Sequence, residues 1–139
     1  MSPDTTTVLL SPKVPDAHRA GLRERFPNVR FPVLEEGGRL PDGTNDADAV
    51  LRVALTKPEM SAVLQAAPGV RWVHTSTAGF DWALVPEIGQ RGIVLTRSAA
   101  SYAIPIGEFT LALIATLVKR LPRLAAQQND RPWRTVTPP

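Results

Sequence analysis

The octapeptide His74-Thr75-Ser76-Thr77-Ala78-Gly79-Phe80-Asp81 follows an apolar, strand-like run at 70–73 and precedes a short helix-like stretch at 82–92. Small residues after a strand let a ligand come close to the main chain. Gly79 permits a positive φ and leaves amide hydrogens uncovered. Successive uncovered N–H groups form a concavity suited to an anion such as a carboxylate. Asp81 has the side chain of an N-cap for the following helix. The residues leave two readings open: a main-chain carboxylate clamp, or an ordinary strand-to-helix turn with its cap. His74 reads as a partly buried strand histidine with a local hydrogen bond, since no second ligand or acid–base partner stands at suitable spacing. His74, Ser76 and Asp81 lie too close along one segment to converge as a triad.

Other chemistry is missing from the 139 residues. The glycines form neither G-x-G-x-x-G nor G-x-x-x-x-G-K, so neither usual phosphate cradle is present. G-x-S-x-G is absent, which argues against a nucleophile elbow. The chain has no cysteine, which excludes disulfides, zinc–thiolate sites and thiol nucleophiles and fits a cytoplasmic protein. The net charge of +3 comes from scattered arginines, with no basic run interleaved with aromatics, so nucleic acid is not expected. The start lacks a basic region followed by an apolar stretch and does not read as a signal peptide. The longest apolar run, 109–118, would rise about 15 Å as a helix, half a bilayer core, and reads as a buried helix with no membrane partner.

The elements that must position the octapeptide follow from periodicity and punctuation. Apolar runs at 7–10, 29–34, 49–55, 69–75 and 93–96 predict five strands. Pro32 confines the second to an edge. Helical patterns fall at 16–26, with Asp16 as N-cap, at 57–67, with Pro58 in the first turn, and at 82–92. A long helix spans about 102–127, with Pro122 inside it as a kink or break. This alternation predicts an α/β fold, a flavodoxin-like five-stranded parallel sheet with helices on both faces, ending in the long helix. The expected division is 1–100 for the sheet domain, 101–128 for the long helix and 129–139 for a linker-like tail. In such sheets ligands bind beyond the carboxyl ends of the strands, which puts the octapeptide at the functional rim.

The segment 70–134 resembles the D-isomer-specific 2-hydroxyacid dehydrogenases. The features that carry the resemblance are the strand leading into S-x-A-G-x-D (76–81), the RGIVLT strand (91–96), the G-E-F opening of the long helix (107–109), KRLP (119–122) and Trp133 shortly after. The N-terminal half agrees in layout without a signature. The resemblance implies a substrate domain that works beside a Rossmann domain binding NAD or NADP, in reduction of 2-keto acids or oxidation of D-2-hydroxy acids. It implies that the amides of Ala78 and Gly79 hold the substrate carboxylate, with Thr77 in the same loop, and that Tyr102 contributes to the pocket. Trp133 shapes the pocket or a subunit contact, or simply anchors the tail. The complete enzyme would be a homodimer. The family's catalytic Arg, Glu and His have no counterpart among these residues, so no catalytic, cofactor-binding or metal-binding residue is assigned. The expectation is a truncated product, an excised domain or an incomplete sequence, whose partner is the cofactor domain of the same enzyme. The alternative is a non-catalytic flavodoxin-like module that binds a small carboxylate or a protein.

Overall fold

A computed structural model of the chain describes residues 5–130, with side chains of the last helix described through residue 128. The backbone forms two compact units, Met1–Ala99 and Ala100–Pro139.

The first unit is built on a parallel sheet of four strands, β1 (Val8–Leu10), β2 (Ala49–Arg52), β3 (Trp72–Thr75) and β4 (Val94–Arg97), in the spatial order β1-β2-β3-β4. Three helices connect and cover them: α1 (Asp16–Arg25), α2 (Lys57–Ala66) and α3 (Pro86–Gln90). Five strands were expected. The segment 29–34 is instead tied to the outer side of β1 by two isolated parallel bridges, Thr7 to Arg30 and Leu10 to Val33. The reason is Pro32. Arg30 N donates to Thr6 O (2.9 Å), Val8 N to Arg30 O (2.9 Å), Leu10 N to Pro32 O (2.8 Å) and Leu34 N to Leu10 O (2.9 Å). The one rung missing from this ladder would need an N–H on residue 32, which proline lacks. Counting this segment, the order across the sheet is the doubly wound one, with the chain stepping outward from β1 and then back across it.

One face of the sheet carries the core. Leu9, Val50 and Val73 point to it from adjacent strands and pack with Met60, Val63 and Leu64 of α2, Ile88 of α3, and Leu34, Leu55 and Ile93. Each such side chain contributes about 1.5–3 kcal/mol through removal from water. α2 is set in place at both ends. At its start Thr56 and Glu59 form a reciprocal capping box, the Glu59 carboxylate accepting from Thr56 N (2.7 Å) and Thr56 Oγ1 accepting from Glu59 N (3.4 Å). Near its end Arg91 donates to the carbonyls of Leu64 (2.6 Å), Pro68 (2.7 Å) and Val70 (2.8 Å), tying the end of α2 to the approach to β3. Gly38 closes the contact from the other side: at φ 78° a Cβ there would sit 3.0 Å from the Glu59 carbonyl oxygen.

The opposite face is thinly covered. α1 buries none of its side chains, and its expected N-cap Asp16 is the first helical residue, with Pro15 at the cap. Leu22 of α1 and Phe26, its C-cap residue, border an apolar groove of about 520 Å³ with Val8, Leu51 and Trp72 of the sheet. Further along, Trp72 is 46% and Val94 59% exposed.

The predicted helix at 82–92 contracts to α3. A turn over 80–84 precedes it, with Ala83 N donating to Phe80 O (2.9 Å) and Leu84 N to Asp81 O (3.3 Å). The residue before Pro86 is held in extended backbone, as pre-proline positions are, and this keeps the helix from starting earlier. Asp81 therefore does not cap α3; the cap position is Val85.

In the second unit the long helix divides into α4 (Ala103–Val118) and α5 (Leu121–Asp130). The break falls at Lys119–Arg120, with Arg120 at φ 52°. Pro122 thus sits in the first turn of α5, where it needs no N–H and its ring meets no preceding helical carbonyl. α4 buries no side chain. Residues Ala100–Val118 are long and apolar enough, 19 residues at mean hydropathy 1.6, to cross a membrane by length and composition alone.

Candidate functional site

Three strands end at one rim, in register: Arg52 of β2 pairs with Thr75 of β3, and Thr75 with Arg97 of β4. Alternation along the strands puts all three side chains on the core face, the face of Val50, Val73 and Leu95. The ladder runs one residue further on each side of β3, with Ser76 N donating to Arg52 O (3.2 Å) and Ser98 N to Thr75 O (3.2 Å). Beyond Ser76 the strand ladder ends and the chain enters the loop Thr77–Ala78–Gly79.

In this loop the carbonyls of Ala78 and Gly79 are occupied and the amides are not. Arg97 Nη1 donates to Ala78 O (2.9 Å). Thr77 Oγ1 donates to Gly79 O (2.7 Å). Among the described residues no acceptor takes the N–H of Thr77, Ala78 or Gly79. Gly79 is exposed, and a Cβ added there would meet no atom within 4 Å. Its φ lies outside the left-handed region, so the expected positive φ is not what selects glycine here.

Below the loop lies a buried cation. Arg52 is 4% exposed. Its Nη1 donates to Thr75 Oγ1 (3.2 Å) and its Nη2 to Leu55 O, while its Nε has no partner. Burial pushes the guanidinium below its ordinary pKa. The Leu55 carbonyl reaches Arg52 because the chain reverses at Ala54, a non-glycine residue at φ 54°. Such strain persists only where the surroundings over-determine it. Arg97 is exposed and rests over the Phe80 ring, 5.4 Å from its centroid. Among the described residues neither arginine forms an ion pair. The rim therefore carries two positive charges that no carboxylate of the described residues neutralises.

His74 takes the structural part expected of it. Its two ring nitrogens lie 2.9 Å from Thr96 Oγ1 and 3.1 Å from Ser98 Oγ, and its ring meets Trp72 edge-on. Both nitrogens are engaged by hydroxyls, with no carboxylate among the described residues to orient the ring as a base. No group of three or more His, Cys, Asp or Glu gathers to hold a metal among the described residues. Tyr102 ends the turn Ala100–Tyr102 and stands at the N-cap position of α4 in the second unit, 45% exposed. Trp133 lies outside the described residues. Arg52, Thr75 and Arg97 were not singled out from the sequence. The available signal was their place at the last residue of three successive apolar strands.

No protein-family model matches the chain. A glyoxylate reductase of Thermofilum pendens is 32% identical over 92 residues, 63% of this chain and 27% of that protein. Among solved structures, a D-lactate dehydrogenase from Aquifex aeolicus in complex with NAD and lactic acid superposes with a TM-score of 0.69 at 22% identity, covering 94% of this chain and 39% of its own. A D-isomer-specific 2-hydroxyacid dehydrogenase from Xanthobacter autotrophicus in complex with NADPH gives 0.70 at 15% identity, over 97% and 42%. An NADPH-dependent glyoxylate/hydroxypyruvate reductase from Sinorhizobium meliloti in complex with citrate gives 0.69 at 19%, over 94% and 40%. The chain is thus similar in sequence to a glyoxylate reductase over 92 residues, and its fold is that seen in part of the solved D-isomer-specific 2-hydroxyacid dehydrogenases. It spans about a quarter of the curated relative's length and about two fifths of the solved ones.

Proposed function

We propose that the chain is the substrate-binding portion of an NAD(P)-dependent D-2-hydroxyacid dehydrogenase, and that its loop at 77–79 holds the carboxylate of a small 2-keto or 2-hydroxy acid. The observation that carries this reading is the polarity of the loop: carbonyls of Ala78 and Gly79 satisfied from the protein side, N–H groups of the same residues unpaired. Uncovered donors beside uncompensated positive charge suit an anion. A hydrogen bond to a charged group is worth about 1.5–3 kcal/mol, so two such amides give the site useful affinity without any side-chain ligand.

The chain's own residues do not fit a nicotinamide dinucleotide, for want of a glycine-rich cradle anywhere in the 139 residues. No step of hydride transfer is assigned to them. Their part is to bind the acid and orient its second carbon, while cofactor and proton-transfer groups come from a cofactor domain. The glyoxylate reductase relationship and the lactate- and citrate-bound relatives support a small acid as ligand. Tyr102 as a pocket residue and Trp133 as a pocket or subunit-contact residue rest on the family resemblance alone, as does the homodimer, whereas a cytoplasmic location rests on the lack of cysteine.

A second reading, a non-catalytic module for a small carboxylate, draws on the engagement of both His74 nitrogens by hydroxyls. One experiment separates the two. The chain is mixed with a separately expressed cofactor domain of a glyoxylate reductase, and keto-acid-dependent NADH oxidation is followed. Activity that needs both pieces supports the dehydrogenase reading. Carboxylate binding by the chain without complementation supports the module. Absence of both removes the acid site itself.

A further inference from the structure

We infer that the acid-binding loop is held from its carbonyl side by two arginines, Arg97 directly and Arg52 through the hydroxyls of Thr75 and Thr77, and that these four are the positioning residues of the site. This rests on the carboxylate reading above and deepens it.

Donor and acceptor chemistry fixes the direction of the chain of bonds. A guanidinium only donates, so Thr75 Oγ1 accepts from Arg52 Nη1 (3.2 Å). Thr75 and Thr77 hydroxyls lie 3.0 Å apart, and the Thr77 hydroxyl spends its proton on Gly79 O (2.7 Å). Thr77 must then accept from Thr75. The bonds run one way, from Arg52 to Thr75 to Thr77 to the Gly79 carbonyl, and bonds in such a series polarise one another. Thr75 is fully buried, and Arg52 nearly so, which keeps water out of the first link.

The consequence for the amides follows from peptide geometry. In a trans peptide the C=O and the N–H of one unit point in opposite directions. Arg97 on Ala78 O fixes the unit that carries the Gly79 N–H. Thr77 on Gly79 O fixes the unit that carries the Phe80 N–H. No acceptor among the described residues takes the Phe80 N–H either. The pinned donors are thus those of Gly79 and Phe80, whereas among the described residues the unit carrying the Ala78 N–H has no such anchor on its Thr77 carbonyl. Phe80 enters the site through its main chain, and its ring braces Arg97 from below. Positive charge behind the two carbonyls also makes their amides better donors toward an anion.

The test uses the full chain, labelled with ¹⁵N, and oxamate as the 2-keto acid analogue. Thr77→Val and Thr75→Val remove the relay hydroxyl at nearly constant shape; Thr77→Ser and Thr75→Ser keep it. Arg97→Ala removes the direct clamp, and Arg97→Lys keeps charge and one donor. Expected is a loss of tenfold or more in oxamate affinity for the Val and Ala variants, with the Ser and Lys variants within threefold of the parent. In the unliganded protein, the Phe80 amide resonance moves in the Thr variants and the Gly79 resonance in Arg97→Ala. A general loss of structure would spread such shifts over the sheet, which the Ser and Lys pairs control for. Parent protein that binds oxamate, with Val and Ala variants binding equally well, overturns the positioning role and leaves the acid site standing. Parent protein whose amides at 78–80 ignore oxamate overturns the acid site and the inference with it. Unmoved Gly79 and Phe80 resonances in the unliganded variants overturn the inference whatever the ligand does.

Discussion

Gly79 separates the two readings of its loop more sharply than any charged residue near it. Neither its φ nor its surroundings demand glycine, since a Cβ there points into open space. Alanine at a compatible position raises stability by about 0.4–1 kcal/mol through the unfolded chain. If the missing side chain serves a ligand, Gly79→Ala yields a protein as stable as the parent or more so, with oxamate affinity down tenfold or more. Urea unfolding and an amide-shift titration on the same sample decide it; unchanged affinity returns the loop to an ordinary turn. The same accounting explains His74. A histidine whose two nitrogens both face hydroxyls is held as a strand side chain, and this geometry gives it no route to the loop amides.

At the scale of the element, the capping box of α2 ties stability to pH. Glu59 is held below the ordinary carboxylate range first by the Thr56 main-chain N–H and then by the Thr56 hydroxyl, with a small contribution from Lys13. A depressed folded-state pKa means the cap contributes fully above the unfolded value and is lost as pH falls through the folded one. Thr56→Ala is expected to cost about 1 kcal/mol at neutral pH. The stability gap between the parent and Glu59→Gln closes on acidification through that depressed value. Denaturant midpoints across an acid series check both, and a gap that widens in acid would mean the sign is wrong. Elements elsewhere show how proline chooses boundaries. Pro32 leaves an edge segment with one rung missing, Pro86 delays α3, and Pro122 moves the helix break upstream to Arg120.

For the whole molecule, the unusual quantity is exposed apolar surface. In α4, Ile104 is 73% and Leu117 72% exposed, with Phe109 and Leu111 close behind, and Trp72 and Val94 open the second face of the sheet. Contiguous patches beyond about 300–600 Å² are uncommon on monomers. The isolated chain is therefore expected to self-associate in a concentration-dependent way, and Leu111→Glu together with Leu117→Glu to reduce it. Sedimentation velocity over a hundredfold concentration range measures this; a single monomeric species throughout would show that these surfaces are satisfied within one chain.

The sequence by itself determined the alternation of strands and helices, the parallel sheet, the edge place of the Pro32 segment and the small-residue loop after β3. Each depends on period and on residue-local stereochemistry, which neighbours in sequence carry. The T-x-x-E spacing at 56–59 also made the α2 cap legible in principle. Only the tertiary structure decided that Asp81 caps nothing, that Gly79 is not left-handed, and that Arg52, Thr75 and Arg97 form one row behind the loop. Those three residues are separated by more than twenty positions each, and only strand register brings them together. A local pattern cannot encode register across a sheet, because it is fixed by which apolar faces bury each other.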